Sequence, residues 1–428
     1  MTAQPSTLIY DWNEVERSAV PIQRSFTLMD ETLRDGIQSP SVRNPSIGDK
    51  LEILHLMEKC GIEYADVGLP GAGAKAKADV QRIVEEARDC KLRLIPNTAA
   101  RTHQADIQAI VDISQATGVS IEICAFIGSS PIRQLVEGWD LERMVGYVRD
   151  ATKLAVDNGC TVSFVTEDTI RANPQTLTPL FWTAIENGAD RLILTDTVGH
   201  ATPDGLLNLL NFTRSLLRSW GADHVKVDWH GHNDRGLALV LNLFALEHGV
   251  DRVHGTCLGV GERVGNASID QLLINLKLLG VIDRDLRHLR TYVDKVSECY
   301  QVPIPYNYPV FGTDAFRTAT GVHAAAVIKA LRTGRTDLAD RVYSSVPAAE
   351  FGCRQQVDIG FYSGKSNIQF WLHEHGLEIT EARVQAIWDR AKSSDSTLTN
   401  DDIVETLLSG GHVADADLTK ALESVAVG

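Results

Sequence analysis

No Cys-x-x-Cys pair occurs anywhere in the chain. The seven cysteines (Cys60, Cys90, Cys124, Cys160, Cys257, Cys299 and Cys353) are odd in number and scattered. That pattern excludes a disulfide framework and a thiolate zinc site, and it points to a reducing cytoplasm. Basic charge is also short: 41 Lys and Arg stand against 56 Asp and Glu, a net charge of −15. Nucleic acid and anionic membranes both reward a basic face, so neither is expected as a partner. No run approaches the ~18 apolar residues of a membrane helix, and Met1 to Glu16 lacks the basic-then-apolar pattern of a secretory leader. No low-complexity segment breaks the text. What remains, 428 residues of which 44% are apolar, is an acidic globular protein with room for one large α/β barrel and an appendage.

From Phe26 to Gly280, short β-rich runs alternate with longer helical ones, the pattern of βαβ units around a parallel sheet. Eight strands are predicted: Phe26 to Glu31, Tyr64 to Leu69, Arg93 to Asn97, Ile121 to Ile127, Val162 to Thr166, Arg191 to Thr195, Val225 to His230 and Arg252 to Thr256. The helical runs stop at Gly61, Gly118, Gly159, Gly188, Gly221, Gly249 and Gly280, as a left-handed terminal position requires. Asn173-Pro174 and Thr202-Pro203 read as a cap followed by proline at the first helical position. Eight units in about 250 residues is the size of a closed (β/α)₈ TIM barrel. The competing doubly wound sheet would open with a glycine-rich turn, whereas Asp30-Glu31-Thr32-Leu33-Arg34-Asp35-Gly36 is a cluster of charge. The expected organisation is an extension over 1–25, a barrel over 26–285 and a mainly helical region over 286–428 packing on the barrel or a neighbouring subunit. Helices are predicted there at Leu286 to Tyr300, Ala324 to Thr333 and Glu381 to Lys392, with two more after Asn400.

A barrel places its active residues just after the strands, and the unusual polar residues fall there. They are Asp30, Glu31, Arg34 and Asp35; Glu167 and Asp168; Asp196 and Thr197; His230, His232, Asn233 and Asp234; Glu262, Arg263 and Asn266. Helix capping explains many of the acids. It does not explain Asp228-Trp229-His230-Gly231-His232, where two imidazoles two apart leave one face of a strand and can share an ion. A carboxylate and an amide oxygen would complete a mixed shell with positions open for substrate. Asp35, His230, His232 and Asn266 are the candidate ligands, for a divalent metal such as Mg, Mn or Zn.

Asp30 to Gln38 (Asp-Glu-Thr-Leu-Arg-Asp-Gly-Ile-Gln), His230 to Asp234 (His-Gly-His-Asn-Asp) and Gly259 to Ala267 (Gly-Val-Gly-Glu-Arg-Val-Gly-Asn-Ala) together resemble the acyl-CoA condensing enzymes that include 2-isopropylmalate and homocitrate synthases. Thr320 to Ala324 and the stretch from Val342-Tyr343 to Phe351-Gly352 resemble the linker region of the same enzymes. The resemblance implies a homodimeric acyltransferase whose acyl group becomes an alkyl group on transfer. A 2-oxo acid chelates the metal, acetyl-CoA is deprotonated to an enolate that attacks the keto carbon, and thioester hydrolysis releases CoA and a 2-substituted malate. It further implies that Arg34 offsets oxyanion charge, that Glu167 is a catalytic rim acid, and that Gln38, Cys124 and Thr197 face substrate. His323 and Tyr343 match an acid/base pair supplied from the partner subunit.

Three positions depart from the family pattern and bear on the substrate's side chain: Cys124 where a histidine is common, Ile37 where a glutamate is common, and the loop Gly68 to Gly73. The chain reaches Gly428 without the long regulatory domain of leucine-sensitive members, so leucine feedback through such a domain is not expected. Two competitors are a C–C lyase resembling 3-hydroxy-3-methylglutaryl-CoA lyase, whose cysteine-bearing loop is missing between Gly259 and Asn266, and a non-catalytic metal-binding regulatory barrel. Gly360 to Ser366 imitates a phosphate loop but is one residue short and follows no evident parallel strand. His373-Glu374-His375 reads as solvated helix surface.

Overall fold

The computed structural model describes residues 8–15, 22 and 25–413. Two compact units make up the chain: Glu16–Pro303, and Ile304–Gly428 together with Met1–Val15.

The first unit is a barrel of eight strands: β1 (Thr27–Asp30), β2 (Tyr64–Asp66), β3 (Ile95–Arg101), β4 (Glu122–Gly128), β5 (Thr161–Glu167), β6 (Arg191–Asp196), β7 (Lys226–Gly231) and β8 (Arg252–Gly255). Each pairs in parallel with the next, and β8 returns to β1 with Thr27 opposite Arg252 and Asp30 opposite Gly255. All eight expected strands are present. β2 ends three residues early because Gly68 turns at φ 145° and Pro70 opens a helical turn. β3 runs on to Arg101. Both strand faces are covered, so the strands are buried almost throughout, polar residues such as Asn97, Ser163, Asp228 and His254 included.

Outside the strands lie α1 (Ile47–Lys59), α2 (Ala74–Asp89), α3 (Gln104–Thr117), α4 (Pro131–Glu137), α5 (Leu141–Asp157), α6 (Pro174–Glu186), α7 (Pro203–Ser219), α8 (Ala238–Glu247), α9 (Ile269–Leu278) and α10 (Leu289–Tyr300). The seven glycines expected to end helices all have φ between 65° and 101°, a region that costs a side-chain-bearing residue energy. Pro174 and Pro203 occupy the first helical turn, and the Thr202 hydroxyl accepts from the Gly205 amide at 3.3 Å. α10 starts three residues later than its sequence suggests. Its Tyr292 hydroxyl donates to Asp30 Oδ2 at 2.6 Å, and its Tyr300 hydroxyl donates to the Thr32 carbonyl at 2.6 Å. This helix therefore fastens the segment that follows β1.

An ionic column fills the barrel interior. Arg252, fully buried, donates to Glu122 Oε2 at 3.2 Å and to Asp228 Oδ2 at 2.7 Å. Arg191 pairs with the other oxygen of Asp228, and the Arg252 guanidinium lies 4.3 Å from the Tyr64 ring centroid. Asp228 Oδ2 is 3.3 Å from His254 Nε2, and His254 Nδ1 is 3.0 Å from Glu31 Oε1. Buried charges persist only where paired in this way.

The second unit carries a two-stranded parallel sheet, β9 (Arg317–Thr318) with β10 (Gln356–Val357), and α11 (Gly321–Arg332), α12 (Thr336–Ala339), α13 (Lys365–Glu374), α14 (Glu381–Lys392) and α15 (Asn400–Ser409). Ile368, Leu372, Ile387 and Leu407 centre one of its apolar clusters. The second helix expected after Asn400 lies outside the described residues. Two expectations need correction. The loop Gly360 to Ser366 does follow a parallel strand, since β10 precedes it, although Lys365 Nζ is engaged by Glu381 at 2.8 Å. His375 is buried, stacked 3.8 Å from the Trp371 ring with Nδ1 against that residue's carbonyl, because the chain turns inward after α13; His373 and Glu374 are exposed. Among the described residues no helix is long and apolar enough to cross a membrane.

Candidate active site

Parallel strands in a barrel end on one rim, so residues far apart in the chain meet there. Asp35 follows β1, His230 lies near the end of β7, and His232 comes just beyond it. Both His230 Nε2 and His232 Nε2 lie 3.7 Å from Asp35 Oδ2. A local antiparallel bridge pairs His232 with Asn266, whose amide donates to Asp35 Oδ2 at 3.1 Å. Asp35 Oδ1, His232 Nδ1 and Asn266 Oδ1 are buried without a hydrogen-bond partner among the described residues. Buried polar atoms left unpaired are costly, and one donor atom each of Asp35, His230 and His232 lie within 4.8 Å of one another, an arrangement that fits a bound divalent cation. Gly261 makes the arrangement possible, since a Cβ there would collide with Asn266 Oδ1. Gly265, at φ 88°, would drive a Cβ into the Gly259 carbonyl.

The charges are set to match. Burial disfavours the imidazolium of His230, but the Glu31 carboxylate 2.9 Å from Nδ1 outweighs it and raises the pKa. At His232 burial wins and pushes the pKa down to about 4, leaving a neutral ring. Burial works against ionised Asp35, yet Arg34 and the two imidazoles hold its carboxyl below the usual range. Glu31 is likewise buried, and His230 with Arg34 hold it well below. One oxygen of Glu31 thus meets His230 and the other His254, the outer-shell carboxylate–histidine arrangement that fixes a ligand ring and its free nitrogen.

A cavity of about 400 Å³ opens beside this cluster and includes Arg34, Gln38, Cys124, Glu167, Thr197, His254 and Glu262 in its lining. Arg34 is anchored by Asp66 at 2.7 Å, Glu31 at 3.1 Å and Asp35 at 3.2 Å. Gln38 Oε1 accepts from Arg34 at 3.4 Å. Glu167 is raised above the ordinary carboxylate range by burial, against the pull of Arg133 at 2.8 Å. The Thr197 hydroxyl accepts the Asp168 amide at 2.8 Å. Cys124 sits on the apolar floor with Met29 and Ile193, its thiol pushed far up by burial and therefore protonated. The structure brings together Arg34, Asp35, Gln38, Cys124, Glu167, Thr197, His230 and His232 at the cavity, with Asn266 bonded to Asp35. His323 and Tyr343 belong to the other unit, where their rings pair at 4.1 Å.

Several rim residues are structural. Asp196 accepts the His200 and Ala201 amides, Asn233 accepts that of Ala238, and Asp234 pairs with Arg263. Asp168, at φ 62°, pairs with Arg171. Sequence reading missed His254, Asp66 and Arg133. His254 was discoverable, being two residues from Arg252 on a strand and so on the same inward face; Asp66 also sits at a strand end. A third cluster, His55, Glu86 and Cys90, lies outside the barrel on α1 and α2, where Arg82 already pairs with Glu86.

The HMGL-like family model matches residues 25–296. A homocitrate synthase of Methanopyrus kandleri is 31% identical over 368 residues, covering 85% of this chain and 86% of that protein. A 2-isopropylmalate synthase of Sulfurisphaera tokodaii is 28% identical over 372 residues, 86% of this chain and 90% of the other. Among solved structures, the HMG-CoA lyase of Bacillus subtilis superposes with a TM-score of 0.56 at 19% identity, covering 67% of this chain and 97% of that one, and shares the fold. The chain belongs to the HMGL-like family, among the 2-isopropylmalate and homocitrate synthases, and is an enzyme.

Proposed function

We propose that the protein catalyses a divalent-metal-dependent Claisen-type condensation of acetyl-CoA with a 2-oxo acid, followed by hydrolysis of the thioester by water, giving a 2-substituted malate and CoA. The reading is carried by the Asp35, His230, His232 and Asn266 cluster, three of whose buried polar atoms are unpaired, in a relative of such synthases. A divalent ion held by these four side chains would act as a Lewis acid toward the keto carbonyl. The chain's own groups supply the rest. Arg34, immobilised by three carboxylates, presents fixed positive charge where an alkoxide develops. Glu167 holds its proton to higher pH than an exposed acid and stands at the cavity, in reach of proton exchange. Gln38, Cys124 and Thr197 face the acceptor. His323 and Tyr343, paired with one another, would act as acid and base from the partner subunit of a homodimer.

The test follows CoA thiol release from acetyl-CoA across a panel of 2-oxo acids, with and without a chelator. Release should require both a 2-oxo acid and a divalent ion; release indifferent to both defeats the proposal. C–C lyase activity predicts instead the splitting of an acyl-CoA in the absence of a 2-oxo acid.

A further inference from the structure

A second cavity, of about 420 Å³, lies behind the catalytic one within the barrel unit. The turn after β5, with α6 and α7, gives it an apolar wall of Ile170, Leu177, Leu209 and Phe212. No carboxylate lines it, and its one formal charge is the guanidinium of Arg235. Arg235 donates to the His200 carbonyl at 3.0 Å, while the carboxylate beside it in the chain, Asp234, is taken by Arg263. In a chain of net charge −15, an apolar hollow whose only charge is positive fits a ligand of the opposite layout. An anionic head would meet the Arg235 fork, and an apolar body would displace water from the four apolar side chains. An α-ammonium group would find no counter-charge there.

The two cavities share the chain that leaves three strands. Glu167 lines the catalytic cavity and Thr169 the second; after β6 the same division falls between Thr197 and His200, and after β7 between His232 and Arg235. Hydrogen bonds tie the two sides. The Thr169 hydroxyl accepts the amide of Thr195, a catalytic-cavity residue, at 2.9 Å. Asp196 accepts the amides of His200 and Ala201, which border the second cavity, at 2.6 and 2.9 Å. A ligand seated behind these loops presses on the backbone that aims Glu167, Thr197 and His232.

We propose that the second cavity is an effector site for a small monoanionic carboxylate with an apolar body and no ammonium group, and that its occupancy shifts the catalytic loops.

Calorimetry on the full chain with Mn²⁺ compares three probes built on one carbon frame: 3-phenylpropanoate, 3-phenylpropanamide and phenylalanine. The carboxylate should bind at least about tenfold more tightly than the other two. Arg235→Gln should remove that preference. Gly205→Leu should abolish binding by filling the hollow; a Cβ at Gly205 meets nothing closer than 3.5 Å, so α7 can carry the side chain. Asp35→Asn, in the catalytic cavity, should leave binding unchanged. Saturating 3-phenylpropanoate should also change kcat or KM for CoA release at least about fivefold, the one readout that rests on the condensation reading. Absence of binding, binding that Gly205→Leu spares, or binding that Asp35→Asn abolishes overturns the site. Binding with no effect on CoA release overturns the coupling. If no 2-oxo acid supports CoA release, the condensation reading fails, and calorimetry still decides the site.

Discussion

At the scale of single residues, Arg34 and Glu31 do different work within one cluster. Arg34 spreads its donors over Asp66, Glu31 and Asp35, a fork that a point-charge ammonium cannot reproduce. Arg34→Lys is therefore expected to cut kcat by about a hundredfold or more with little change in far-UV circular dichroism. Near-wild-type turnover would reduce Arg34 to scaffolding. Glu31, at the edge of the cavity, orients two rings. Glu31→Gln should weaken Mn²⁺ binding by about 10- to 100-fold in calorimetric titration, and unchanged affinity would remove Glu31 from the ion's surroundings. The histidine pair and Asp35 were readable in the sequence because their spacing and chemistry are unusual within a few residues of chain. Arg133 was not, because its partner Glu167 ends a different strand of the barrel.

At the scale of elements, the segment after β1 is held from outside by α10. Asp30, whose carboxylate receives the Tyr292 hydroxyl, is raised to about 6 by burial in spite of the hydrogen bonds from Thr32 and Tyr292. A carboxyl with a folded pKa above its unfolded value, near 4, weakens the fold as pH rises from about 4 to about 6, and the loss then stays constant. Asp30→Asn removes that titration. Its unfolding free energy should gain on the wild type by up to about 3 kcal/mol between pH 4 and pH 7. A difference independent of pH would show that Asp30 does not titrate in this window. Barrel strands and glycine-ended helices were legible because each carries its own period and stop signal. β9 and β10, at two residues each, are too short to show any period. His375 escaped because its burial depends on a turn after α13 that no local pattern announces.

At the scale of the whole molecule, the barrel is tied across its interior by charge as well as by strand pairing. Arg252 neutralises Glu122 and Asp228, and Arg252→Met would leave both carboxylates buried and under-compensated. Such a loss costs about 3–5 kcal/mol, measurable by urea unfolding at pH 7. Asp228 resists burial, and Arg252 with Arg191 hold it down at about 2. Its contribution is thus present above pH 4 and lost as pH falls toward 2, so wild type and variant should converge over that range. A gap that stays constant down to pH 2 would place the stabilisation elsewhere.

The contacts from Glu122 through Arg252, Asp228, His254 and Glu31 to His230 form one unbroken line from the base of the barrel to its mouth. Remote tuning is the consequence. A substitution at the base, out of reach of any reactant, can rotate an imidazole at the top, so laboratory evolution of this enzyme should recover activity-altering changes among residues that never meet the acceptor.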